Sequence, residues 1–180
     1  MRTIALDVSG AATGWAFGED HSLKAYGKFI SDLKKPRGER LYDFSHFLEQ
    51  LFLTYKPDII LIERPYLGRN SDVLVNLSKF IALVELQAFL VLGLRIEDEW
   101  FISSKTVKKI MSIGHLKKPK SQRAKYNANK QQMVNRINAL CGLTLQYADG
   151  KSKKYNDDDI ADAIAVLLTW WKLMNHETTT

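Results

Sequence analysis

The stretch "YNDDDIADAIAVLLTWW", residues 155–171, constrains the chain more than any other. After a polar run it becomes an apolar helical segment, and between Ile160 and Trp171 its one charged side chain is Asp162. Burying an unpaired carboxylate costs several kcal/mol, so Asp162 needs a partner. Asn156 is placed to cap the helix, and Asp157, Asp158 and Asp159 fall in its first turn, where the helix dipole favours an acid by ~0.3–1 kcal/mol. That explanation stops before Asp162, which follows Asp159 at i+3 and projects from the same side. Two partners stay open: a cation shared with other acids, or a buried salt bridge to an arginine such as Arg64.

A chain of 180 residues, 46% hydrophobic and 26% charged, has ordinary globular composition. With no internal repeat and no boundary signal, a single domain over 1–180 is expected. The lone Cys141 excludes an internal disulfide framework, and His21, His46, His115 and His176 form no cluster with it, so a zinc site has no ligands and any metal must be held by oxygen. "MRTIALDV" meets Asp7 too early for a signal peptide, and the apolar segment Val73–Leu94 is broken by Lys79, Glu85 and Gln87. The expectation is a soluble chain with no membrane partner, at work in the cytoplasm.

Charge is segregated. From Lys105 to Lys154 there are thirteen Lys or Arg against one acid, Asp149, so this third carries +12 while the remainder carries −6. A solvated face is the bland reading. A dense basic segment interleaved with Tyr126, Asn127, Asn129 and Gln131 points instead to a polyanion, and nucleic acid is the expected partner.

"RTIALDVS", "GWAFGE" and "LKAYGKFIS" read as three strands spaced for antiparallel pairing. "ERLYDFSHFLEQLFLTY" has helical periodicity stopped by Pro57, and "DIILIE" reads as a buried strand. A helix over 71–92 follows, capped at Ser71 or Asp72; "LRIEDEWFI" reads as the fifth strand, and "SSKTVKKIM", "NANKQQMVNRINAL" and "DDDIADAIAVLLTWWKL" as helices. The basic stretch at about 114–128 lacks hydrophobic periodicity and reads as a loop.

Alternation in the first strand sets Thr3, Ala5, Asp7 and Ser9 on one face, so Asp7 stands among small side chains. Glu63 ends "DIILIE", a strand expected beside the first. A lone strand-end acid usually points into water. Four acids from two strand ends and one helix face are instead the ingredients of an oxygen-ligand site for divalent cations. Two such ions ~3.5–4 Å apart activate a water and stabilise the leaving oxygen in phosphodiester hydrolysis.

"ALDVSGAATGWA", "LIERPY", "SKTVKKIMSIG" and "DIADAIAV" together resemble the RuvC family of Holliday junction resolvases, within the RNase H-like superfamily, over about residues 2–168. The resemblance implies an α/β, RNase H-like fold whose mixed five-stranded sheet has three antiparallel strands and then two parallel ones, flanked by helices. It places the catalytic and metal-binding acids on Asp7, Glu63, Asp159 and Asp162, the last two in the family's "DxxDA" helix, and a base-contacting aromatic on Tyr66. Substrate-contacting lysines fall on Lys108 and Lys130, both placed near the scissile phosphate, and Lys130 is counted with the catalytic residues. Lys105, Lys109, Lys117, Lys118, Lys120, Arg123 and Lys125 extend the DNA-binding surface. The implied cofactor is magnesium, two ions per site with manganese substituting; the implied partners are branched DNA, above all a four-way junction, and a second copy in a homodimer formed through helix 71–92.

The segment between "SIG" and "NKQQMV" is longer and more basic than in typical cellular members, and "ERP" replaces "EQ". This points to a divergent phage or viral-type member working in the host cytoplasm. "DVSGAATGWA" is also similar to the first phosphate loop of sugar kinases, but the chain lacks their second domain. An RNA-processing nuclease of the same superfamily and a non-catalytic branched-DNA-binding protein are the alternatives.

Overall fold

The computed structural model describes residues 1–65, 71–114, 121–148, 152 and 154–177, with 176 and 177 by backbone alone. Alternation along β1 (Arg2–Asp7) divides the molecule into two layers. Ile4 and Leu6, with Val8 beyond them, enter one apolar cluster, and Ala5 enters the other. β2 (Ala12–Glu19) and β3 (Ser22–Ile30) continue as an antiparallel meander; β4 (Ile59–Arg64) runs parallel to β1 on its other side, and β5 (Phe101–Ser103) runs parallel to β4. Among the described residues the sheet order is β3-β2-β1-β4-β5, the mixed arrangement expected.

On one face, α1 (Arg37–Tyr55) and α2 (Ser71–Leu92) cover Ile4, Leu6, Phe17, Ile60 and Ile62. On the other, α3 (Ser104–Met111), α4 (Gln122–Cys141) and α5 (Asp158–Glu177) cover Ala5, Ala16, Leu61 and Ile102. Side chains on this second face of β1 and β2 are small. A Cβ at Gly14 would overlap the backbone carbonyl of Asp159, and one at Gly18 would run into the Trp171 ring. Gly14, Ala16 and Gly18 thus let α5 lie against the strands at backbone distance, with its own Ala161, Ala163 and Ala165 fully buried. Covered by the sheet on one side and by α3 and α4 on the other, α5 can be apolar nearly all round.

Two expectations need correction. The fifth strand is only Phe101–Ser103, because "EDEW" makes a 3-10 turn over Asp98–Trp100 and only Ile102 is buried in the strand. The basic loop expected at about 114–128 is helical from Gln122 onward. Ser121 accepts a hydrogen bond from the Ala124 amide as N-cap, and residues 122–126 are exposed, so this turn of α4 carries no apolar face to read. Residues 115–120 of that stretch lie outside the described residues.

α2 is long and apolar enough to cross a membrane by length and composition. Phe80, Ile81, Val84 and Ala88 are nevertheless buried in the core, and Gln87 donates a hydrogen bond to Ser45 on α1 at 2.7 Å. Its other side leaves Val75, Leu86, Phe89 and Leu90 exposed. Gly14→Ala should push α5 off the sheet and destabilise the chain by roughly 1–3 kcal/mol. Gly38→Ala in α1, where a Cβ meets nothing within 4 Å, should be neutral or stabilising by up to about 1 kcal/mol. Thermal denaturation of both variants measures the difference.

Candidate active site

The register pairs Asp7 with Gly14 across β1 and β2 and, across β1 and β4, Ala5 with Leu61 and Leu6 with Ile62. One step further along the parallel pair stand Asp7 and Glu63, both on the face covered by α5. Because Gly14 admits the start of α5, Asp159 and Asp162 arrive at the same sheet end. All four acids line one cavity of about 400 Å³, with Ser9, Ser104, Lys108, Tyr126, Asn129 and Lys130 contributing its other polar groups.

So many carboxylates together disfavour ionisation. Asp7 is pushed well above the ordinary range by burial and by the charges of Asp162, Glu63 and Asp159, against which Lys130 works. Burial raises Glu63 too, offset by a hydrogen bond with Ser104 and by the charges of Lys108 and Lys130. Asp162 is raised to about 7, again by burial, with Lys130 opposing and Glu63, Asp158 and Asp159 adding to the rise. For Lys130 burial disfavours the ammonium, but Asp162 and Asp158 more than compensate, and it stays charged.

Asp162 therefore has its partner, and it is not Arg64. Arg64 is exposed and donates to the Asp98 carbonyl at 3.2 Å. Lys130, reaching from α4 with 13% of its side chain exposed, sits 4.0 Å from Asp162 and forms an ion pair with Asp158. Its Nζ also lies 5.2 Å from the centre of the Tyr126 ring.

The reading of Asp157 and Asp158 as dipole-only acids gives way to specific contacts. Asp158 is 3% exposed and carries the ion pair to Lys130. Asp157 pairs with Lys28 of β3 at 3.0 Å and accepts from the Gln146 amide at 3.0 Å. Its carbonyl accepts the first turn's bond from Ala161, so Asp157 stands at the N-cap place expected for Asn156. The Asn156 amide instead clamps the Ala148 backbone, accepting from its N–H at 2.8 Å and donating to its carbonyl at 3.1 Å. Lys28 and Asp158 carry no local sequence signal, since each finds its partner far along the chain.

Lys108 lines the cavity, whereas Lys105 and Lys109 on α3 and Arg123 and Lys125 on α4 are exposed helical residues. Tyr66, Lys117, Lys118 and Lys120 lie outside the described residues. The donor set fits a hard divalent cation: all-oxygen, strongly negative and held in mutual repulsion that a cation would relieve. Among the described residues, however, no three His, Cys, Asp or Glu side chains are already drawn together as a complete ligand set.

No family model matches the chain. A curated relative, crossover junction endodeoxyribonuclease RuvC of Synechococcus sp., is 24% identical over 176 residues, covering 95% of this chain and 98% of the relative. The solved structure of T. thermophilus RuvC in complex with Holliday junction substrate superposes with a TM-score of 0.67 at 15% identity, covering 94% of this chain and 91% of that one. The Fowlpox virus resolvase, solved with its Holliday junction DNA, gives 0.54 at 18% identity, covering 97% and 99%. Fold and acid cluster together define a RuvC-like α/β chain. Curated relatives of that name match along nearly the whole length of the chain, at 24% and 23% identity, so the chain is similar to RuvC proteins from end to end.

The raised acids give a signed pH dependence. Between the ordinary carboxylate value, about 4, and the raised ones, about 7 for Asp162, the folded chain binds more protons than the unfolded one. Metal-free stability from this site is therefore lost as pH rises through that window. Melting temperature without metal should fall between about pH 5 and about pH 8, and Asp162→Asn should flatten that fall. Calcium should raise the melting temperature more at the higher pH, where the acids are ionised. Equal calcium stabilisation at both pH values would show that these acids do not take the ion.

Proposed function

We propose that the chain is a divalent-cation-dependent endodeoxyribonuclease that resolves four-way DNA junctions by paired symmetric nicks. The observation that carries this reading is the convergence of Asp7, Glu63, Asp159 and Asp162 on one cavity whose rim holds Lys108 and Lys130. The relatives' name, crossover junction endodeoxyribonuclease, and the Holliday junction DNA bound to the neighbouring structures support the substrate class.

Magnesium, two ions per site with manganese able to substitute, fits the hard oxygen donors. Bound there, the ions supply charge stabilisation for the phosphodiester and favour deprotonation of the attacking water. Asp7, Glu63, Asp159 and Asp162 would hold them. Lys130 places a fixed positive charge next to the acids, suited to the charge that develops on the scissile phosphate. Lys105, Lys108, Lys109, Arg123 and Lys125 project from α3 and α4 and suit the backbone phosphates that the acids would otherwise repel; Lys117, Lys118 and Lys120 extend that basic run, and Tyr66 is the base-stacking residue. The work is placed in the cytoplasm, the host's if the source is viral.

Charge alone does not separate a junction from a duplex, because phosphate contacts are independent of sequence and branching. Two sites at a fixed separation do. Leu86, Phe89 and Leu90 on α2 are 49%, 52% and 64% exposed, and such side chains gain ~1.5–3 kcal/mol each on full burial. This face suits a homodimer contact.

Junction, duplex and structured RNA, each incubated with magnesium or with EDTA, test the reading. The junction should be cut in preference to the others and only with metal, and preferential cutting of the RNA would overturn the assignment. Asp162→Asn should lower junction cleavage by on the order of a hundredfold or more while binding persists. Phe89→Asp should give monomers by sedimentation and uncoordinated single nicks in a cruciform plasmid; a wild-type monomer that still makes coordinated nicks would refute the dimer.

A further inference from the structure

Two carboxylates one helical turn apart on α5, Asp158 and Asp162, face a single lysine. They do not share it equally. Lys130 is in direct ion-pair contact with Asp158 and stands 4.0 Å from Asp162. Asp158 is almost wholly buried and forms no part of the cavity wall, whereas Asp162 lines it. On its other side the ammonium meets the Tyr126 ring. The lysine is thus tethered at the edge of the acid cluster by a carboxylate placed outside the cavity.

We propose that Asp158 is a positioning residue that parks the Lys130 ammonium beside Asp162 and not upon it, leaving Asp162 free to take a divalent cation. The inference rests on the cation-dependent site of the preceding section. Without Asp158, the nearest carboxylate to the buried ammonium is Asp162 itself. The lysine would move the short distance onto it and become an internal competitor for the metal. Asp158 therefore governs metal occupancy without being a ligand, and keeps the positive charge where a phosphate can use it. Outer-shell groups around metal ligands are typically worth a factor of ten to a hundred in metal affinity, and a loss of ~10-fold or more is expected when Asp158 is removed.

Calorimetric titration with manganese, on intact protein without DNA, separates the possibilities. Asp158→Asn should weaken manganese binding by ~10-fold or more, and the double variant Asp158→Asn with Lys130→Met should recover wild-type affinity, because the competitor is gone. If the double variant stays as weak as Asp158→Asn, Asp158 is a ligand or a structural support and the proposal falls. Unchanged binding in Asp158→Asn overturns it equally. Should Asp158→Asn alone fail to fold, Lys130→Gln and Lys130→Gln with Asp158→Asn give the same test: they should bind manganese alike, and a difference between them refutes the role. In junction cleavage, Asp158→Asn should lose turnover with little change in KM at limiting manganese, and regain part of it at high manganese. Wild-type protein that binds no manganese would instead defeat the nuclease reading itself, a result distinct from any of these.

Discussion

Everything at the candidate site depends on how closely α5 approaches the sheet. Gly14 has no side chain where the Asp159 carbonyl sits, and Asp7 is its partner across the strands. One missing Cβ therefore sets the distance between an acid on a strand and two acids on a helix. The same lane of small residues continues through Ala16 to Gly18, where the Trp171 ring takes up the space. A helix anchored by backbone contact at one end and by an aromatic at the other has little freedom to slide, and preorganisation of this kind is what a constellation of like charges requires.

Bringing those charges together costs free energy that the rest of the layer must offset. The apolar mass of α5 packs against Leu61, Ile102, Val107, Met133, Val134 and Ile137, while its aspartates are confined to its first turns. The start of the helix is fixed by polar contacts that reach across the fold: Lys28 to Asp157, Asp157 to Gln146, Asn156 to Ala148 and Lys130 to Asp158. They join the helix start to β3, to the segment 146–148 and to α4. The positive partners come from β3 and α4, so an elongated stretch of sequence is tied to one end of one helix. Asp162 stays raised, first by burial and then by the charges of Glu63, Asp158 and Asp159, and a cation among these acids would oppose that rise.

Periodicity made the sheet legible. The alternation of Ile4, Ala5, Leu6 and Asp7 and the apolar run of "DIILIE" fixed the strands and their faces, while the mixed five-stranded arrangement was what the resemblance implied. Signals failed where burial was absent. The first turn of α4 is exposed and reads as a loop, and "LRIEDEWFI" contains one buried strand position, too few for alternation to show its true length. At the site, Asp162 was visible because an acid inside an apolar helix contradicts its surroundings, Asp7 and Glu63 because two acids end neighbouring core strands, and Asp159 through its i+3 spacing to Asp162 and the "DxxDA" resemblance. Asp158 was not, because an acid in the first turn of a helix contradicts nothing, and only the fold shows it buried against Lys130.

The two faces of the sheet carry different work. The face of α3, α4 and α5 holds the acid cavity and the lysines at its rim, with the side chains of β1 and β4 alternating between this face and the other. The face of α1 and α2 is aliphatic and aromatic through Phe44, Phe52 and Phe80, and α2 turns its remaining apolar side chains outward. Strand alternation makes this division possible: Asp7 and Glu63 can line the acid cavity while Leu6 and Ile62, one residue before each, hold the opposite layer. The exposed apolar side of α2 is thereby kept on a different layer from the charged surface of α3 and α4, so covering the one would not desolvate the acids at the other. Separation of this kind allows one small chain to present both an exposed apolar surface and an acid-lined cavity without either compromising the other.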